Sequence, residues 1–173
     1  MGTPSVYPMG TTIYNPEKCW NGYTLFQANE TGAMLIDMNG RVVNFWENFQ
    51  GFPNKMLPDG SILGSLNERN TEYGWQDQTD LTQVDWDGNV LWKFDHMEYV
   101  EDPGYEPQWM ARQHHDYQIE GNTVGYYVPG MIPNMDGNKI ILCHQDVHNP
   151  EISDKPLTDD TIIEINKDGE IIW

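Results

Sequence analysis

The chain has 173 residues, of which 38% are hydrophobic, and this size and composition suit one domain with a substantial core. The 27 acidic and 9 basic residues give a formal net charge of −18, which disfavours nucleic acid and anionic membrane surfaces as partners. No apolar run reaches the roughly 18 residues of a membrane span, and no secretory leader is visible, which predicts a cytoplasmic protein, or a periplasmic one if a leader has been removed.

Residues 1 to 24 are rich in Gly, Pro, Thr and Tyr and are predicted to form an irregular lead-in. In residues 25 to 173, short apolar runs alternate with Asn-Gly, Asp-Gly and Glu-Gly dipeptides. Asn-Gly and Asp-Gly between β-branched runs are the strongest short-range signal for a β-hairpin. The chain is therefore predicted to be all-β, with no helix longer than a turn or two. The dipeptides occur at Asn39-Gly40, Asp59-Gly60, Asp87-Gly88, Glu120-Gly121, Asp136-Gly137 and Asp168-Gly169.

Three of these turns are copies of one unit, because residues 36–43, 84–91 and 165–172 align without a gap. The spacing of the first two copies is close to that of a four-stranded propeller blade, and the longer second spacing is that of a blade with insertions. We therefore expect a β-propeller segment of about two and a half four-stranded blades. Such a segment leaves apolar strand edges exposed, so another chain or the rest of a longer protein is predicted to complete it.

Three insertions are predicted, near residues 95–109, 119–135 and 145–159. The first and third are rich in Asp, Glu and Pro. Long loops in a compact β fold usually border a functional site. The two cysteines, Cys19 and Cys143, form no CxxC pair and are predicted to be buried thiols.

The segment from Arg112 to Asp116 has the highest density of potentially catalytic side chains in the chain, since it also contains His114 and His115. In an extended strand, neighbouring side chains point to opposite faces, so only one of the two histidines would face a given site. If the segment enters a strand from a loop, both histidines converge, and the pattern leaves both arrangements open. Arginine binds oxyanions through two hydrogen bonds, and imidazole acts as nucleophile, proton carrier or metal ligand near neutral pH.

Residues 11–16, 22–26, 35–40 and 113–118 together resemble the N-terminal part of bacterial arylsulfotransferase-like proteins. The resemblance spans nearly the whole chain and is most specific at the His-His-Asp segment followed by residues 137–142. It implies a β-propeller that moves a sulfuryl group between phenols through a transient sulfohistidine. Neighbouring histidines and an arginine would bind the sulfate oxygens at the central channel, and the nucleophilic histidine normally comes from a later blade.

Carried onto this chain, the resemblance implies that His115 is a sulfate-binding or proton-transfer histidine, with His114 as its alternative. Arg112 would provide the cation for the transferring group, and His144 would be a second channel residue. Further substrate contacts are expected from Asp116, Tyr117 and Tyr126, although tyrosine is also common in the packing of β structure.

Two other functions compete with sulfuryl transfer. One is a metal-dependent lyase or hydrolase acting on an aromatic substrate, in which a divalent metal would be the cofactor; otherwise no cofactor is expected. The other is a propeller without enzymatic activity that serves as a scaffold. A calcium loop at residues 85–89 is disfavoured, because the same segment recurs as a turn. The candidate metal ligands are His114, His115, His144 and His148, with Asp116 and Asp146.

Overall fold

The computed structural model describes residues 10–28, 31–74, 76–122, 130–132 and 134–173. Within these residues the regular secondary structure is β-strand, which confirms the predicted all-β class. None of the described segments forms a helix that could cross a membrane. The strands are β1 (Tyr23–Gln27), β2 (Gly32–Asp37), β3 (Val42–Glu47), β4 (Gln50–Met56), β5 (Ile62–Ser65), β6 (Leu81–Val84), β7 (Val90–Phe94), β8 (Glu98–Val100), β9 (Gln108–Met110), β10 (Gln113–Ile119), β11 (Lys139–Val147) and β12 (Leu157–Ile165).

The strands form antiparallel sheets in chain order: β1-β2-β3, β4-β5-β6-β7, β8-β9 and β10-β11-β12. The second sheet combines a looser hairpin, β4-β5, with the repeated hairpin β6-β7. The pairing of β10 with β11 confirms the predicted hairpin that is split by an excursion. Beside the third large sheet, Ile171 makes an isolated antiparallel bridge with Ile165 of β12.

The repeated turn has the same hydrogen bonds in each of its three copies. The side-chain oxygen of its first residue accepts from the amides two and four residues later, at 2.8–3.0 Å. The turn glycine has a positive φ of 74° to 87°, which favours glycine because it lacks a Cβ atom. In the second copy the amides occupy the oxygen of Asp85, which supports a structural turn over a calcium loop. The first residues of the three turns are Asp37, Asp85 and Asn166.

The middle sheet has a core on each of its two faces. Successive side chains of a strand point to opposite faces, so neighbouring residues of β5 enter different cores. Leu63 belongs to one core cluster together with Ile141 and Ile165 of the third large sheet. Its neighbour Ile62 belongs to a second cluster together with Leu35 and Trp46 of the first sheet. The three large sheets therefore pack face to face through these two cores.

The structure gives the strands that border the predicted insertions. Around residues 145–159, β11 continues to Val147 and β12 begins at Leu157, so the loop comprises residues 148–156. Residues 95–109 contain the short hairpin of β8 and β9. Most of the excursion after β10 lies outside the described residues. Trp46 is buried as a core residue, whereas Trp173, which aligns with Trp92 in the repeat, is 73% exposed.

The two cysteines differ in environment, and the prediction that both are buried is wrong for Cys19. Cys19 is exposed, and its thiol donates to the carbonyl oxygen of Asn15 at 2.7 Å. Cys143 lies in the core, where burial raises the pKa of its thiol to about 12. Because the thiolate is the reactive form, Cys143 is held in its unreactive state.

We expect iodoacetamide at mildly alkaline pH to add a single adduct to the native protein, at Cys19. Unfolding in urea should add a second adduct at Cys143, because it exposes the thiol and restores its ordinary pKa. Intact-mass spectrometry counts the adducts. The Cys19→Ser variant should remain unlabelled when native, and rapid labelling of Cys143 in the native state would contradict this packing.

Candidate functional site

The backbone of the His-His-Asp segment departs from a regular strand. Arg112 and His115 have φ values of 51° and 57°, which non-glycine residues rarely adopt and which recur at functional sites. The pairing of β10 with β11 shifts register between Gln113 and Tyr117. This irregularity breaks the strict alternation of faces, so the rings of His114 and His115 meet, with their Nδ1 atoms 2.7 Å apart. Of the two arrangements left open by the sequence, the structure has the convergent one.

Arg112 is fully buried in a network of carboxylates. Its Nη1 donates to Asp146 at 2.7 Å and also to Glu98, and its Nε donates to Asp77 at 3.1 Å. Burial alone would lower the pKa of Arg112, but the hydrogen bonds to Glu98 and Asp146 and the charge of Asp77 raise it. Its Nη2 is buried and has no hydrogen-bond partner within the described residues. Arg112 is therefore a permanent cation with unused donors on one nitrogen.

Asp77 connects this arginine to the histidines. Its Oδ2 also accepts from Arg69 Nη1 at 2.7 Å, and its Oδ1 bonds to His144 Nδ1. Burial tends to raise the pKa of Asp77, but the hydrogen bonds from His144 and Arg69 and the charge of Arg112 hold it below its ordinary value. Asp77 is therefore an ionised carboxylate shared by three donors. Arg69 is in turn paired with Asp102.

Two histidine rings and one carboxylate come together beside this network. The rings of His114 and His144 stack with their centroids 3.8 Å apart. Asp160 lies opposite His144 in the register of β11 and β12, and its Oδ1 is 3.2 Å from His114 Nε2 and 3.6 Å from His144 Nε2. Burial, together with the neighbouring His144, lowers the pKa of His114, so its ring is neutral at neutral pH.

His144 faces a cleft of about 360 Å³, the volume of a small-molecule site. The cleft wall combines an aromatic ring, acidic groups, the buried arginine and one imidazole. Asp159 and Asp160 give its rim a negative charge. The lining residues are Tyr73, Gly74, Asp77, Arg112, His144, Thr158, Asp159 and Asp160.

The structure brings together Arg112, His114, His115 and His144 among the residues predicted from the sequence. It places two others elsewhere. Asp116 is mostly exposed and pairs with Lys55 at 2.5 Å. Tyr117 lies in the core rather than in a substrate pocket, with its hydroxyl 2.7 Å from the carbonyl oxygen of Pro53 and 2.6 Å from that of Leu63.

His148 and Tyr126 complete the predicted set. His148 is exposed in the loop after β11 and is not part of the histidine cluster, so the predicted metal ligand at this position is not supported by the geometry. Tyr126 lies outside the described residues. The register shift between Gln113 and Tyr117 explains why Asp116 and Tyr117 point away from the histidines. Across such an irregularity, the face that each side chain occupies changes.

Sequence reasoning missed Asp77 and Asp160 as site residues. Asp77 carries no motif, because two of its three partners, Arg112 and His144, come from distant parts of the chain. Asp160 follows another aspartate, a pair typical of solvated loops, and only the pairing of β11 with β12 places it opposite His144. Comparisons with known proteins identify no relative, since no protein-family model, curated protein or solved structure matches the chain.

Proposed function

We propose that this cleft transfers a sulfuryl group between phenolic compounds through His144. The observation that carries the proposal is the hydrogen bond between His144 Nδ1 and the buried carboxylate of Asp77, in a ring that lines the cleft. A carboxylate in this position fixes the tautomer and orientation of an imidazole and leaves the lone pair on Nε2 for attack. The resemblance of residues 113–118 to arylsulfotransferase-like proteins supplies the identity of the transferred group. Attack by His144 departs from that resemblance, which places the nucleophilic histidine on a later blade, and rests on the contact with Asp77 instead.

The chemistry proceeds in two steps that share one intermediate. The Nε2 lone pair of His144 forms an N–S bond while the S–O bond of the aryl sulfate breaks, and the phenolate leaves with the electron pair. The acceptor phenol then forms an S–O bond as the N–S bond breaks, which restores neutral His144. The proton lost by the acceptor balances the phenolate released in the first step. Splitting the exchange in this way replaces one difficult step with two easier ones.

Charge on the sulfuryl oxygens has to be stabilised in both steps. Arg112 lines the cleft, and the fixed positive charge of its guanidinium group favours an oxyanion bound there. The carboxylates of Asp159 and Asp160 oppose additional negative charge at the rim, which favours a neutral phenol over a phenolate as the acceptor. We assign positioning roles to His114 and His115, because each restrains the other through Nδ1.

The same proposal takes the three large sheets as blades of a β-propeller that another chain or further sequence completes. Its support is apolar exposure on the last sheet. Ile140 and Ile162 are adjacent on the face of β11 and β12 opposite the core, and they are 47% and 52% exposed. Contiguous apolar surface of this kind is typical of an interface. Native mass spectrometry of the purified protein tests for a companion chain.

Incubation with an aryl sulfate is expected to release one phenol per site and to leave a single sulfuryl adduct in intact-mass spectra. Peptide mapping under alkaline conditions should locate the adduct at His144, because its Nε2 is the proposed nucleophile. Addition of an acceptor phenol should discharge it. The corresponding phenol without sulfate is the matched control. Turnover without an adduct on a histidine, or an adduct at exposed His148 alone, would exclude this mechanism.

A further inference from the structure

Three potential metal ligands converge beside the cleft from three different strands. One ring nitrogen of His114, one ring nitrogen of His144 and a carboxylate oxygen of Asp160 all lie within 4.8 Å of one another. Two of the three separations are 3.2 Å and 3.6 Å. Ligand atoms bound at about 2.0–2.1 Å to one ion lie roughly 3.0–3.4 Å apart. The two distances to Asp160 are therefore close to those around a single ion, and a change in the 25° angle between the stacked rings of His114 and His144 would direct both lone pairs to it.

The state of His114 Nε2 is an independent indication of a missing partner. This nitrogen is buried and makes no hydrogen bond to the part of the chain that the structure describes, although Asp160 Oδ1 lies 3.2 Å away. When Nδ1 of His114 donates its proton to His115, Nε2 presents a lone pair to a carboxylate oxygen. Two lone pairs at this distance repel each other, and a cation placed between them removes the repulsion.

The outer contacts of the cluster are those of a metal site. Ligating histidines usually donate their second ring N–H to a carboxylate or another acceptor, which orients the ring and increases its basicity. His144 has Asp77 in this role, and His114 has His115. Asp77 is itself held by Arg69 and Arg112, so the orienting carboxylate is rigid.

We propose that His114 Nε2, His144 Nε2 and Asp160 bind a divalent transition metal ion of the zinc type. Two imidazoles and one carboxylate suit Zn²⁺, Co²⁺ or Fe²⁺, whereas Mg²⁺ and Ca²⁺ prefer oxygen ligands. The bound ion occupies the lone pair with which His144 would attack sulfur. Inhibition of sulfuryl transfer by the metal follows from this and rests on the proposed function, whereas metal binding itself does not.

The test is a titration of the metal-free protein with Co²⁺, whose visible absorption reports nitrogen coordination, followed by displacement with Zn²⁺. The native protein should bind one ion per chain, and millimolar Mg²⁺ should not compete. Asp160→Asn and His144→Asn should each weaken binding at least about 100-fold, since even outer partners of a metal ligand contribute 10- to 100-fold. Asp160 is 69% exposed, so its variant is expected to fold. Far-ultraviolet circular dichroism checks both variants.

Asp159→Asn is the matched control, because Asp159 is an exposed acidic neighbour on the same cleft that lies outside the ligand group. It removes the same charge as Asp160→Asn. Its dissociation constant for Co²⁺ should stay within about threefold of the native value, because an exposed charge has only a small effect. Equal affinities in the native protein and all three variants would overturn the assignment, as would an absorption spectrum without nitrogen ligands.

The effect of the metal on turnover separates this inference from the proposed function. A fall in transfer rate that follows the binding curve supports both. If the protein binds the metal and turns over substrate only in its presence, the metal site is supported. Sulfuryl transfer by a metal-free His144 is then excluded, and a metal-dependent lyase or hydrolase is favoured. Sulfuryl transfer that is insensitive to Co²⁺ and Zn²⁺, in a protein that binds neither, retains the proposed function and overturns the metal site.

Discussion

Replacement of His144 by Asn is expected to reduce kcat/KM for sulfuryl exchange by at least about 10³-fold, the order of loss seen when a nucleophile is removed. The Asn side chain retains an N–H donor for Asp77 but has no lone pair able to form the N–S bond. The loss should therefore occur without a loss of stability. Release of a chromogenic phenol from its sulfate ester measures the rate.

The His148→Ala variant is the matched control for His144, because it removes an exposed imidazole from the loop that follows the same strand. It should exchange sulfuryl groups at the native rate. In His144→Ala, which leaves a space in the cleft, added imidazole should recover part of the activity, because a free imidazole can act as the nucleophile. An Asn variant with native turnover would remove His144 from the reaction.

The Asp77→Ala substitution is expected to destabilise the protein by about 3–5 kcal/mol, the range for removing one partner from a buried charge network. Asp77 is fully buried and accepts hydrogen bonds from Arg69 and Arg112, which are themselves buried. Without this carboxylate, two desolvated guanidinium groups lose part of their compensation, and His144 loses its orienting partner. Urea unfolding followed by tryptophan fluorescence gives the change in free energy.

The control for Asp77 is Asp87→Ala, which removes a carboxylate from an exposed turn. Its expected effect is within about 0.5 kcal/mol, as for most surface substitutions. If Asp77→Ala unfolds at the same urea concentration as the native protein, the network does not stabilise the fold in the way its hydrogen bonds indicate.

Local signals in the sequence predicted the all-β class and the antiparallel hairpins. The repeated turn is specified within a few residues, by an Asp or Asn that accepts two amides and a glycine that tolerates a positive φ. The end of the loop between β11 and β12 was not predictable from the sequence, because acidic residues such as Asp159 and Asp160 are typical of loops. These two residues belong to a strand whose side chains project from the edge of a sheet into water and into the cleft.

The site was predictable only in part, for a different reason. The density of Arg112, His114 and His115 identified the segment. The direction of each side chain depends on two residues with positive φ, at Arg112 and His115, which no periodic pattern encodes. Asp77 acquires its role from partners more than thirty residues away, 35 for Arg112 and 67 for His144. Long-range pairing of this kind depends on the tertiary fold.

The buried carboxylate of Asp77 also limits how this protein could evolve. Networks of buried charge can often be replaced by well-packed apolar residues with no loss of stability, or with a gain. Under the proposed function that route is closed, because the carboxylate that holds two arginines also orients the ring of His144, the proposed nucleophile. An apolar replacement of the network would remove this alignment, so selection for stability would oppose the proposed activity at this one position.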